Sequence, residues 1–304
     1  MIRALVTGAR GQVGAEVERE LSGRCDVVAR DRAALDLADP AAIVTQVRDA
    51  RPDIIVNCAA YTAVDRAETD RDAAHAVNAI GPGVLAGEAR RCGALLVHFS
   101  SDYVFDGTKG TAYVEDDATN PLSVYGATKL DGERAIAAAG GSHLILRTSW
   151  VYGPRGKNFL FTMLRLGRER DELTVVDDQR GAPTSSRALA RLVRELLGGG
   201  AEAAELTRAG VDAAAARTGI YHASAAGATS WFGFAQEIFE EMRRQRRLDF
   251  TPPRLTAILT SGYPTPARRP PNSILSNERL RATFGTSIPA WREGLRETVS
   301  ALPR

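Results

Sequence analysis

The chain has 304 residues, 44% of them hydrophobic and 25% charged, which is long enough for one large or two modest domains around a sizeable core. With 39 Lys+Arg against 37 Asp+Glu, the formal charge of +2 gives no electrostatic case for a nucleic-acid partner, and no run approaches the roughly 18 apolar residues of a membrane span. Cys25, Cys58 and Cys92 lie far apart, without CxxC spacing or a histidine cluster, so neither a disulfide framework nor a metal site is expected.

A reducing cytoplasm suits that cysteine usage, and the N-terminal apolar run is too short for a signal peptide. In chain order, Ile2 to Thr7 reads as a strand, glycines follow, and Val13 to Leu21 has a helical pattern. Strands are expected again at Asp26 to Ala29, Asp53 to Asn57, Leu95 to Ser100 and Leu144 to Thr148. Helices are expected at Pro40 to Ala50, Ala73 to Arg91 and Tyr125 to Ala138. Short strands apolar on both faces, separated by helices, imply an α/β fold with a parallel sheet covered on both sides.

Past Trp150 the rhythm changes. A helix from Asn158 to Arg170, a strand from Leu173 to Val176 and a helix from Ala188 to Leu197 precede an Ala/Gly-rich stretch, Gly198 to Gly219, which reads as a surface insertion. Eight of the fourteen prolines fall in the final third, where no βα unit repeats. Residues 1–150 are therefore expected to form a dinucleotide-binding domain of doubly wound type. Residues 151–304 are expected to be mainly a smaller α/β substrate-binding domain, with segments around 184–222 returning to the first.

Gly8-Ala-Arg-Gly11-Gln-Val-Gly14 sits between the first strand and the first helix. Glycines so placed let the backbone turn, approach a pyrophosphate and pack helix on strand, while the helix N-terminus offers free N–H groups. Asp31 stands at the end of the second strand, where a carboxylate accepts from a cofactor ribose. Arg30 and Arg32 flank it and suit a 2′-phosphate, so NADH and NADPH both remain open. Asp36 and Leu37 come next as an adenine-edge pair.

Tyr125-Gly-Ala-Thr-Lys129 sets a phenol and an ammonium at i and i+4 on one helix face. A cation beside the phenol lowers its pKa from about 10 toward the range useful for acid–base catalysis. The fourth strand ends Phe99-Ser-Ser-Asp-Tyr103, which places hydroxyls at the carboxyl edge of the sheet, where ligands of such folds bind. Ser101 is the candidate to hold a substrate carbonyl beside Tyr125, with Ser100 as the fallback.

These residues resemble the extended short-chain dehydrogenase/reductases, and within them the dTDP-4-dehydrorhamnose reductase family. The resemblance is carried by Gly11-Gln-Val-Gly14, Asn57-Cys-Ala-Ala-Tyr-Thr-Ala-Val-Asp65 with Ala67-Glu68, and Ser101-Asp-Tyr-Val-Phe105. It continues in Pro121-Leu-Ser-Val-Tyr-Gly126, Arg147-Thr-Ser-Trp-Val-Tyr152, Asp178-Gln-Arg-Gly-Ala-Pro-Thr184 and the stretch from Tyr263 to Ser273. Long motifs match in order over nearly the whole chain and lapse only in 198–219.

The resemblance implies reduction of the C4 ketone of dTDP-4-dehydro-L-rhamnose by NADPH or NADH, in a cytoplasmic monomer or homodimer. It implies that Gly8, Gly11, Gln12, Val13 and Gly14 meet the pyrophosphate, Asp31 the ribose, Asp36 and Leu37 the adenine. Ala60, Tyr61 and Thr62 would line the nicotinamide side, and Ser101, Tyr125 and Lys129 would be catalytic, with Tyr125 and Lys129 also binding the cofactor. Ser101, Asp102 and Trp150 would contact the sugar, and Arg180, Arg268, Arg269 and Asn272 are candidates for the diphosphate and nucleoside. Some family members dimerise around Mg²⁺ held by glutamates. Here Glu16 matches one of these, but Arg187 and Ala301 stand at the other two, so that route is not expected. The alternatives are another nucleotide-sugar epimerase or dehydratase, or a non-catalytic regulatory subunit of the same fold.

Overall fold

Alternate residues of each apolar strand enter opposite faces of one sheet, and both faces are buried. Ala4 and Val6, Ile54 and Val56, Leu95 and Val97 join one core, while Leu5, Ile55 and Leu96 from the same strands join the other. This is why the strands read as continuous apolar runs. The computed structural model describes residues 1–198 and 205–302. Its central sheet contains β1 (Arg3–Thr7), β2 (Asp26–Arg30), β3 (Ile54–Asn57), β4 (Leu95–Ser101) and β5 (His143–Thr148). They run parallel in the order β2-β1-β3-β4-β5, and Gly219–His222 adds a sixth parallel strand beyond β5. The order reverses between β1 and β3, the switch point at which such Rossmann-type sheets open a ligand crevice.

Two expectations need correction. Residues 199–204 of the Ala/Gly-rich stretch lie outside the described residues, but residues 205–219 are not a surface insertion. Leu206, Val211 and Ala214 are buried in the core, the last two on the helix Arg208–Ala215 that leads to the sixth strand. The expected single helix from Ala73 to Arg91 is also interrupted. Arg71–His75 and Gly81–Cys92 are α-helical, and Ala76–Ile80 between them is a π-turn. Pro82, in the first turn of the second segment, has no N–H to donate backwards, which eases the local widening.

After Trp150 the strands occur in small pairs: Val151–Tyr152 with Thr184–Ser185, Glu172–Val176 with Arg254–Ile258, and Arg180–Gly181 with Thr229–Ser230. The helix Ser186–Leu196 packs against α1 (Gln12–Leu21) of the first half. Among the described residues, no helix is long and apolar enough to cross a membrane.

Candidate active site

The loop after β1 turns through Gly8, whose φ of +63° lies in the left-handed region and whose missing side chain lets Ala59 approach. Gly11 then caps α1 with no side-chain acceptor, and no acidic residue occupies the first turn. Free N–H groups and the positive end of the helix dipole are therefore left for an anion. They open into a cavity of about 750 Å³ that runs to the carboxyl end of β4. Gln12 lines it too, and its side-chain oxygen accepts from Asn158, the N-cap of Phe159–Glu169, at 2.9 Å.

Just after β2, one oxygen of Asp31 accepts from the N–H groups of Ala33 and Ala34, both at 3.1 Å. The other pairs with Arg10 at 2.7 Å. Arg30 does not face the cavity, since its guanidinium donates to Gln46 and to the Ala29 carbonyl. Arg32 and Asp36 line the cavity and pair with each other at 3.4 Å, and Leu37 forms part of its floor. Sequence reasoning misses Arg10; a cation inside the glycine loop is the available signal.

Ala60, Tyr61 and Thr62 line the same cavity beyond β3. Asn78, on the π-turn, holds this stretch by accepting from the Tyr61 N–H at 2.8 Å and donating to the Tyr61 carbonyl at 3.1 Å. Its amide also donates to Thr128 on the helix that carries Tyr125. Nothing local in the sequence marks Asn78, because its role depends on a helix irregularity.

β4 resolves the two serines by strand alternation. Ser100 turns inward and donates to Glu133 at 2.5 Å, beneath a buried pair of Glu133 with Arg147 at 2.7 Å. Ser101, on the other face of the strand, donates to Asp102 and accepts from the Tyr103 N–H, and both serines line the cavity. The helix Val124–Ala139 can approach because a Cβ on Gly126 would sit 2.2 Å from the Tyr103 carbonyl oxygen. Ser123 caps that helix, and Glu68 accepts from the Val124 N–H.

Tyr125 and Lys129 both line the cavity, Lys129 buried and Tyr125 half-buried, but the expected lowering of the phenol is not seen. Burial pushes Tyr125 up to about 12, and the Ser101 hydroxyl beside it works downward. The Lys129 ammonium is itself pushed down to about 8 by burial, opposed by Glu133. Its Nζ donates to the Phe99 carbonyl at 2.7 Å and meets His98 Nε2 at 3.2 Å. Burial also raises Asp102 to about 7 against hydrogen bonds from Ser273 and Ser101.

Trp150 lines the cavity with a left-handed φ of +47° and stacks on Trp231 at 3.6 Å between ring centres. Trp231 is a second lining residue that sequence reasoning misses. Arg180, Arg268, Arg269 and Asn272 are not among the residues lining the cavity, and neither is Gly14, which packs against Gly8. Arg269 pairs with Asp65 at 2.8 Å, and Asn272 donates to the carbonyls of Lys109 and Thr111. Both tie the proline-rich stretch to the first half, and Arg268 is exposed.

A doubly wound sheet with an uncapped first helix and Ser101, Tyr125 and Lys129 in one cavity defines a Rossmann-type NAD(P)-dependent oxidoreductase of the extended short-chain dehydrogenase/reductase class. A family model described as RmlD substrate binding domain matches residues 2–303. The chain is 49% identical over 294 residues to a dTDP-4-dehydrorhamnose reductase of Burkholderia thailandensis, with 96% of each chain covered. It is 41% identical over 302 residues to the protein of that name in Escherichia coli, covering 98% of this chain and 97% of the other. The crystal structure of a dTDP-4-dehydrorhamnose reductase from Bacillus anthracis, in complex with NADP, superposes with a TM-score of 0.87 at 36% identity, over 98% of this chain and 99% of that one. A UDP-glucose 4-epimerase of Thermus thermophilus in complex with NAD shares the fold, with a TM-score of 0.78 at 21% identity over 98% of both chains. The chain belongs to the dTDP-4-dehydrorhamnose reductase family.

Proposed function

We propose that the chain reduces the C4 ketone of dTDP-4-dehydro-L-rhamnose to the alcohol of dTDP-L-rhamnose, using NADPH or NADH. The observation that carries this reading is the meeting of Ser101, Tyr125 and Lys129 at the end of β4, in the cavity that begins at the N-terminus of α1. Bound there, the nicotinamide supplies the hydride. Ser101 orients the carbonyl, and Tyr125, protonated at neutral pH because burial holds it near about 12, gives its proton to the developing alkoxide. Trp150 offers its indole to the sugar. Supplying dTDP-4-dehydro-L-rhamnose and following the loss of reduced-nicotinamide absorbance tests the reading. No loss with either cofactor would remove it. A dehydratase or epimerase is less well supported, since Tyr103 follows Ser101-Asp102 where a dehydratase needs an Asp-Glu pair.

Arg10 bears on the cofactor. Its side chain is 87% exposed and, among the described residues, pairs with Asp31, so it can turn to a 2′-phosphate at little cost. Arg10→Ala is expected to weaken NADPH by about 3–10-fold and NADH by less than about 2-fold, below the full range for a charge-assisted hydrogen bond because the site is solvated. Asp31→Ala should weaken NADH more than NADPH, because a carboxylate accepts from a 2′-hydroxyl and repels a 2′-phosphate. Cofactor titration by fluorescence reads both, and equal losses in both variants would show that this loop does not read the ribose.

The same reading leaves out a metal bridge. The buried Glu16 carboxylate forms ion pairs with Arg19 at 2.5 Å, Arg155 at 3.3 Å and Arg187 at 3.5 Å. Mg²⁺ needs well-placed oxygens, and three cations around one carboxylate oppose it. Chelator is expected to leave activity and solution mass unchanged. A loss of mass on chelation, or activity restored by added Mg²⁺, would overturn this.

A further inference from the structure

A row of polar side chains crosses the sheet beneath the cavity. Thr7, Asn57 and His98 are register partners on β1, β3 and β4, all fully buried, and Lys129 reaches the last of them from the neighbouring helix. Because each side chain has few other partners, the donors and acceptors can be assigned along the row. Asn57 Oδ1 accepts from Thr7 Oγ1 at 2.7 Å and from the Ala59 N–H at 3.2 Å, and a backbone N–H only donates. The amide Nδ2 therefore faces His98 Nδ1, at 2.9 Å, which makes Nδ1 the acceptor.

Burial holds His98 well below its ordinary range, so its ring is neutral and carries one N–H. With Nδ1 accepting, that proton sits on Nε2, which points at Lys129 Nζ from 3.2 Å. An ammonium has only donors, so this contact is a hydrogen bond only when Nζ is an uncharged amine, which still donates to the Phe99 carbonyl at 2.7 Å. The opposite tautomer would need the Asn57 amide reversed, and its NH₂ would then face the Ala59 N–H.

We propose that His98 is a positioning residue for Lys129. Its Nε2–H donates to the Lys129 amine, fixes Nζ together with the Phe99 carbonyl, and opposes its protonation. The other groups facing Lys129 do not account for this. Glu133, one turn further along the same helix, favours the ammonium, but its charge is shared with Arg147 of β5 and with Ser100. Tyr125, one turn earlier, is uncharged at neutral pH, and Asp102 acts on Tyr125 rather than on the amine. The consequence is that Lys129 titrates within the working pH range, and the cation beside Tyr125 is lost on the alkaline side. That consequence for turnover rests on the proposed reductase function; the tautomer does not.

The direct test is ¹⁵N NMR of the histidine-labelled protein, with His98 assigned by replacing the other three histidines in turn. The expected spectrum has a protonated Nε2 and a bare Nδ1 from pH 6 to 9. A protonated Nδ1 in that range would overturn the proposal. The second test is the pH profile of kcat for His98→Gln, whose carboxamide oxygen can turn toward an ammonium. The alkaline limb is expected to move up by about one pH unit, with KM for the reduced cofactor changed by less than about twofold. A folded His98→Gln protein with an unshifted limb would overturn the proposal, and if that variant does not fold, the tautomer decides alone. Absence of turnover in the unaltered chain would count against the reductase reading and leave the NMR result to judge His98.

Discussion

Tyr125→Phe is expected to lower turnover by roughly two to four orders of magnitude, the range of general acid–base catalysis, while reduced-cofactor affinity stays within about twofold. The substitution removes one O–H and keeps the ring, which stands edge-on to Tyr103 at 5.7 Å between centres. Packing therefore survives and only the proton donor is lost. The parent phenol is well suited to that role because burial keeps it protonated at neutral pH. Single-turnover kinetics at saturating cofactor, with cofactor affinity measured by fluorescence, separates the two effects. Near-normal turnover would remove Tyr125 from the mechanism.

Arg147→Leu is expected to destabilise the fold by about 3–5 kcal/mol, the range for breaking a buried ion pair. Arg147 donates two hydrogen bonds to Glu133, at 2.9 and 2.7 Å, and both side chains are almost wholly buried. Removing the guanidinium leaves a carboxylate beneath β4 with Ser100 and no cation of its own. Arg147→Leu combined with Glu133→Leu should recover much of the loss, because the penalty lies in the uncompensated charge more than in the missing bond. Urea denaturation of the two variants measures the difference. A single variant as stable as the parent would show that water or the Lys129 amine already satisfies Glu133.

Much of the site was legible because its chemistry is local. The glycine loop, the i and i+4 spacing of Tyr125 and Lys129, and the hydroxyls at the end of β4 each lie within a few residues, and all but Ala9 and Gly14 of those residues line one cavity. Arg10, Asn78, His98 and Trp231 were not legible. Each works through a partner distant in sequence: Asp31, Tyr61, Lys129 and Trp150. His98 left one trace, a polar side chain in the otherwise apolar run Leu-Leu-Val-His-Phe.

The sequence by itself determined the parallel sheet, since strands buried on both faces must be apolar throughout and the helices between them must cover both sides. It also determined which residue types stand at the carboxyl ends of those strands. Only the tertiary structure separated Ser100 from Ser101, because the two hydroxyls are adjacent in sequence and strand pleating sends one to Glu133 and the other to Asp102. It likewise decided that Arg30 faces Gln46 while Arg10 faces Asp31, and that Arg269 is held by Asp65. A long cationic side chain reaches several partners, and which one it takes depends on carboxylates and amides that the fold brings near from other parts of the chain.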